Sequence, residues 1–91
     1  MEKHGLEGSE IEGVFFTEGQ APQGTQILKE LDLVVKLRQN LNPTEMKKRA
    51  VKTITAAGGN ALVEMTYGQR AKVAIFANGE QWYIKGKIVK F

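Results

Sequence analysis

Apolar and polar positions alternate along two stretches of the chain and follow a helical period between them. Leu31, Leu33, Val35 and Leu37 point one way, with Asp32, Val34 and Lys36 interleaved. A period of two marks a half-buried strand. Ala61, Val63, Met65 and Tyr67 alternate in the same manner with Leu62, Glu64 and Thr66. Between these runs, Met46, Ala50, Val51, Ile54 and Ala57 form one apolar stripe at helical spacing. Lys47, Lys48, Arg49 and Lys52 fill the outer face of that helix. Its start is well signalled. Asn42 suits the N-cap, Pro43 the first helical position, and Glu45 the third residue of a capping box. Leu41 and Met46 occupy the two positions of a hydrophobic staple, and Glu45 and Arg49 stand at i,i+4. Gly58 and Gly59 end the helix, because glycine takes the left-handed C′ conformation cheaply.

Downstream, Lys72 to Phe76 reads as a third run, and Asn78-Gly79 predicts a type I′ hairpin turn. The last strand sets Trp82, Ile84, Gly86 and Ile88 on one face. Tyr83, Lys85, Lys87, Val89 and Phe91 take the other. Upstream, residues 1–25 hold five of the ten glycines and one apolar island, Val14-Phe15-Phe16. One short strand from Ile11 to Thr17 is predicted there, followed by a loop from Gly19 to Gly24. The reading is an α+β fold: a single antiparallel β-sheet covered by one α-helix, in the order β-β-α-β-β-β. Residues 1–25 form a Gly-rich, acidic, partly flexible segment, and residues 26–91 form the α+β domain.

Composition narrows the functional classes. A chain of 91 residues makes a thin core, so self-association would help it. Cysteine is absent, which removes disulfides and thiolate chemistry. No apolar run approaches the roughly 20 residues of a membrane span. The acidic, Gly-rich start does not read as a secretory signal, so a cytoplasmic home and no membrane partner are expected. The net charge of +3 is unevenly spread. Residues 1–45 carry 4 basic and 8 acidic side chains, and residues 46–91 carry 9 basic and 2 acidic ones. The second half, at +7, either meets an anionic partner or pairs with the acidic half within or between subunits.

Several groups are candidate sites. Lys47, Lys48 and Lys52 lie near the start of the helix, where the dipole favours an anion; the simpler reading is a solvated face. Tyr83 stands among Arg70, Lys72, Lys85 and Lys87, a mixture of aromatic and basic residues that suits stacking bases and neutralising phosphates. Cross-strand pairing on a wet face explains it more simply. Gly58-Gly59-Asn60 could let a ligand approach the backbone, but a helix C-cap accounts for it. Glu64 reads as a mid-strand carboxylate facing water beside a lysine. Ser9 is the only serine and His4 the only histidine. No nucleophile, base and orienting group share a pattern, so no catalytic residue and no cofactor are expected, and the chain is read as a non-enzyme.

From Leu31 onward the chain resembles the YbjQ-like family of small bacterial proteins, which bears a heavy-metal-binding label. The pieces that carry the resemblance are Leu31 to Val34, the helix from Thr44 to Ala57, Gly58-Gly59-Asn60-Ala61-Leu62-Val63, and Gly86-Lys87-Ile88-Val89. The resemblance implies an α+β subunit that packs into a ring similar to dodecin-like assemblies. The metal label transfers to no residue here, because soft-metal sites need thiolates or several imidazoles. The expectation is therefore a homo-oligomeric interaction or small-ligand-binding module. The alternative is nucleic-acid binding through the basic sheet face.

Overall fold

The computed structural model describes residues 2–36, 42–74 and 77–91, with backbone alone at 36, 69–74 and 77–80. Six strands and one helix follow in chain order: β1 (Glu2–Lys3), β2 (Leu6–Ile11), β3 (Val14–Thr17), β4 (Gln26–Lys36), α1 (Pro43–Ala56), β5 (Ala61–Ala74) and β6 (Ala77–Lys90). They form one six-stranded sheet in the order β1-β2-β3-β5-β6-β4, with α1 across one face. The α+β class holds, and two details are corrected. The sheet is mixed, because β3 runs parallel to β5 through Phe15↔Ala61 and Phe16↔Leu62. Four strands precede the helix and two follow it.

The N-terminal correction has a local cause. His4 and Gly5 both have positive φ, at 53° and 77°, and so do Glu12 and Gly13, at 50° and 83°. Each pair is a two-residue reversal of type I′, whose twist matches that of the strands it joins. The run from Ile11 to Thr17 is therefore broken at Glu12-Gly13. Hairpins β1–β2 and β2–β3 take its place. Thr17, buried at the end of β3, donates to the Glu7 carbonyl at 2.7 Å and so locks the second hairpin.

The C-terminal hairpin also differs from expectation. β5 and β6 pair as far as Ala74↔Ala77, so Asn78 and Gly79 lie inside β6, opposite Val73 and Lys72. The expected run from Lys72 continues β5 rather than forming a separate strand. Gly68 does not interrupt it. A Cβ there would lie 3.3 Å from the Tyr83 hydroxyl and 3.4 Å from the ring, so the phenol covers the space glycine leaves.

The helix matches its local signals. Asn42 Oδ1 accepts from the Glu45 amide at 2.8 Å. The Glu45 carboxylate lies 3.7 Å from Lys48, so the i,i+3 neighbour, not the expected Arg49, takes it. Leu41, half of the expected staple, lies outside the described residues. At the other end, Gly58 N donates to Thr55 O and Gly59 N to Ile54 O, each at 3.0 Å. Those two bonds, with Gly58 at φ 84°, make a Schellman C-cap. Gly59 is needed because a Cβ would collide with the Ile88 side chain. Replacing the cap, Asn42→Ala, is expected to cost about 1 kcal/mol in a denaturant melt.

Met46, Ala50, Val51 and Ile54 bury the helix stripe against Val14, Phe16, Leu31, Leu62, Met65, Ile84 and Ile88. A smaller cluster sits on the opposite face: Phe15, Ala61, Val63 and Val89, with Leu6, Ala21 and Phe91 packed on it. The N-terminal segment therefore contributes to both faces of the sheet. His4 stacks on Phe91 with ring centroids 4.2 Å apart. Asn60 exchanges two hydrogen bonds with the Phe91 backbone, so its side chain extends the sheet by one rung.

Candidate functional site

The face of the sheet away from the helix carries Tyr83, Lys85, Lys87 and Glu64. Directly opposed residues in an antiparallel pair share a face. Glu30 stands opposite Lys87, Asp32 opposite Lys85, and Val34 opposite Tyr83. On the other side of β6, Val63 stands opposite Lys87, Thr66 opposite Lys85, and Gly68 opposite Tyr83. Lys85 Nζ lies 5.8 Å from the centre of the Tyr83 ring. The structure thus brings Tyr83, Lys85 and Lys87 together as expected. It also sets Glu30, Asp32 and Glu64 among them, which the linear charge balance did not reveal.

Glu64 is the centre of this surface. Pairing of β5 with β6 shifts between Val63 and Thr66, so Glu64 and Met65 together face Gly86. This is a β-bulge, and Glu64 adopts φ 50° within it. A non-glycine residue in that region carries about 1–2 kcal/mol of strain. Two contacts hold it. Its amide donates to Gly19 O at 2.9 Å, and its carboxylate lies 2.7 Å from Lys87 Nζ. The Glu64 carboxylate, by its hydrogen bond and then its charge, raises the Lys87 ammonium above the ordinary lysine range. Glu30 adds to the same field.

The Glu64–Lys87 pair forms a ridge between two open clefts. One, of about 340 Å³, is lined by Glu30, Asp32, Lys85 and Gly86. The other, of about 330 Å³, lies under the loop from Gln20 to Thr25 and beside Ile27 and Val63. Both are mixed in polarity. They offer a carboxylate and an ammonium side by side, which suits a small zwitterionic or hydrogen-bonding ligand rather than a bare anion.

The remaining candidates separate. Lys48 and Lys52 are exposed on the outer face of α1. Lys47 turns inward, donates to Ser9 Oγ at 3.0 Å, and lies 5.9 Å and 6.0 Å from the Phe16 and Tyr67 ring centres. A third cleft of about 240 Å³ forms around it. Arg70 and Lys72 lie on β5 opposite Gln81 and Gly79, and their side chains are outside the described ones. Gly58-Gly59-Asn60 serves as cap and sheet extension. Trp82 packs beside the helix-side core, and its buried indole N–H has no partner among the described residues. Among the described residues, no three His, Cys, Asp or Glu side chains converge as a metal cage would require. No described helix is long and apolar enough to cross a membrane.

The strain at Glu64 has a measurable consequence. At an ordinary strand position alanine is more stable than glycine. Here Glu64→Gly is expected to be more stable than Glu64→Ala by about 1 kcal/mol, since only glycine relaxes at positive φ. Both variants lose the Lys87 contact equally, so their difference in denaturant midpoint isolates the backbone. Equal stabilities would show that the backbone at 64 is unstrained.

No family model and no curated protein matches this chain. A solved structure does resemble it: the crystal structure of a protein of unknown function of the DUF74 family from Pediococcus pentosaceus. The TM-score is 0.63 at 14% identity, over 88% of this chain and 99% of that one. At that identity the likeness is one of fold.

Proposed function

We propose that this chain is a non-enzymatic, self-associating domain that serves as an interaction or small-ligand-binding module. The observation that carries this reading is the interleaving of Glu30, Asp32 and Glu64 with Lys85 and Lys87 on one sheet face. Unlike charges a few ångströms apart cancel at the distance of a Debye length. The lysines then do not present the continuous positive strip that a nucleic-acid backbone needs. What they leave is a polar surface with clefts able to orient a ligand through paired charges.

Self-association is supported by the thin core and by strand edges left open among the described residues. The YbjQ-like assignment, the ring-like assembly and a bacterial, cytoplasmic setting belong to this proposal. The shared fold with a bacterial DUF74 protein is compatible with them. Analytical ultracentrifugation over a wide concentration range tests the association. The expected mass is a fixed multiple of 10.1 kDa, and a concentration-independent 10.1 kDa species would overturn the reading. A parallel titration with single-stranded DNA and RNA at low salt tests the competing reading. Tight binding that weakens steeply with salt, and that is lost in K85A/K87A, would replace this proposal with a nucleic-acid interface.

A further inference from the structure

We infer that the cleft around Lys47, on the helix side of the sheet, binds a free aromatic α-amino acid. Lys47 and Ser9 take its carboxylate, Glu18 and Glu7 its ammonium, and Tyr67 its ring. This goes beyond the reading above, whose clefts and charge pairs lie on the other face of the sheet. It needs no second copy of the chain.

Lys47 is the first sign. Lys48, Arg49 and Lys52 are exposed on α1, whereas Lys47 is half-buried. It reaches across to β2, where its ammonium donates to Ser9 Oγ at 3.0 Å. The Phe16 and Tyr67 rings, 5.9 Å and 6.0 Å away, favour a cation there. An ammonium has three donors, and a serine hydroxyl donates as well as accepts. Lys47 and Ser9 can therefore hold one another and still donate together to an oxyanion in the cleft.

The acids set what kind of anion enters. β2 alternates, so Ile11 joins the helix-side core, Ser9 meets Lys47, and Glu7 lines the cleft. Glu18, exposed just beyond β3, lines it too. Two carboxylates against one ammonium repel a dicarboxylate or a phosphate and admit a ligand that brings its own cation. Ser9 and Glu7 stand two residues apart along one strand, a separation of about 7 Å. Hydrogen bonds of about 2.8 Å at either end leave the few ångströms that part the carboxylate of an α-amino acid from its ammonium.

The bulge supplies the aromatic wall. Ala61 and Val63 pack on the far face of the sheet. After the shift between Val63 and Thr66, Met65 belongs to the helix-side core, and Tyr67 stands opposite Ile84 of that core. Without the extra residue Tyr67 would keep the face of Val63. The left-handed backbone at Glu64 thus brings a ring, 39% exposed, into the Lys47 cleft. Tyr67 and Met65 offer a flat apolar side chain a surface to lie on. The cleft, of about 240 Å³, has room for one such molecule.

Amide shifts of the nitrogen-labelled chain, titrated with phenylalanine, phenylpropionate, phenylethylamine and glycine, test this. Phenylalanine should give saturable shifts centred on Ser9, Glu18 and Lys47. Each of the other three lacks one of its groups and should bind at least about tenfold more weakly. K47M should weaken phenylalanine by at least about tenfold. E18Q should weaken phenylalanine without weakening phenylpropionate. If K47M loses the wild-type shift pattern, S9A and E18Q decide in its place. No saturable shift with phenylalanine, or equal binding of all four probes, would overturn the site. Shifts centred on Glu64, Lys85 and Lys87 would overturn it as well and leave a small ligand on the other face standing.

Discussion

Ile54→Ala is expected to lower stability by roughly 2–5 kcal/mol, the range for truncating a buried aliphatic side chain. Ile54 is fully buried, on the stripe that α1 presses against β5 and β6. It also has a second duty, because its carbonyl accepts the Gly59 amide that closes the helix C-cap. A cavity at this point loosens the packing and the end of the helix together. The helix has 14 residues, marginal for one isolated in water, so its stability comes from this face. A domain of this size has little stability to spare, so the variant falls near or past the folding threshold. Lys48→Ala is the control. Lys48 is exposed, with a weak partner in Glu45, and the change should stay within about 0.5 kcal/mol. Denaturant melts of the two variants decide. If Lys48→Ala is the more damaging, the core face has been misassigned.

Gly86→Ala is expected to cost about 1–3 kcal/mol through overpacking at the bulge. A Cβ at position 86 would lie 2.8 Å from the Leu62 side chain and 2.8 Å from the Val63 carbonyl oxygen. The side chain can shift, but the carbonyl belongs to the pairing that positions Glu64. Gly86 is therefore what permits β5 to bulge over β6. Gly68→Ala is the comparison, because there the nearest atoms belong to the Tyr83 side chain, at 3.3 Å and beyond, which can tip. Gly86→Ala should be the more destabilised of the two, with its m-value unchanged. The reverse order would show that the bulge does not depend on close approach of the two backbones.

The helix was legible because its signals act over a few residues. Asn42, Pro43, Gly58 and the stripe from Met46 to Ile54 each work within one or two turns. The same is true of the alternation in β4. In β5 the expected alternation fails after Val63: the bulge leaves Ala61 and Val63 on the face away from the helix and turns Met65 to the helix side with Leu62. The hairpin turns were misread for a related reason. Asn78-Gly79 is a strong local preference, yet the pairing of Lys72 with Gly79 and Val73 with Asn78 runs straight through it. His4-Gly5 and Glu12-Gly13 are weaker signals of the same type. Only the glycine second in each pair could have marked them. In the candidate site, Tyr83, Lys85 and Lys87 were placed on one face by their period of two. Glu64 was read as a solvated carboxylate beside a lysine, and its place beside Lys87 fits that reading. Its positive φ was hidden, because alternation carries no sign of a bulge.

The sequence by itself determined the helix and its two ends, the strand character of residues 31–36 and 61–67, and the absence of thiol chemistry. Each follows from local propensity or from composition, which require no knowledge of the rest of the chain. The tertiary structure decided which strands are neighbours. It set β3 parallel to β5 and placed Glu30 and Asp32 across from Lys87 and Lys85. A period of two says that a strand has two faces but not what lies beside it. Partner and register come from contacts distant in sequence. Those contacts turn a chain with a strongly basic second half into a sheet face whose charges are interleaved.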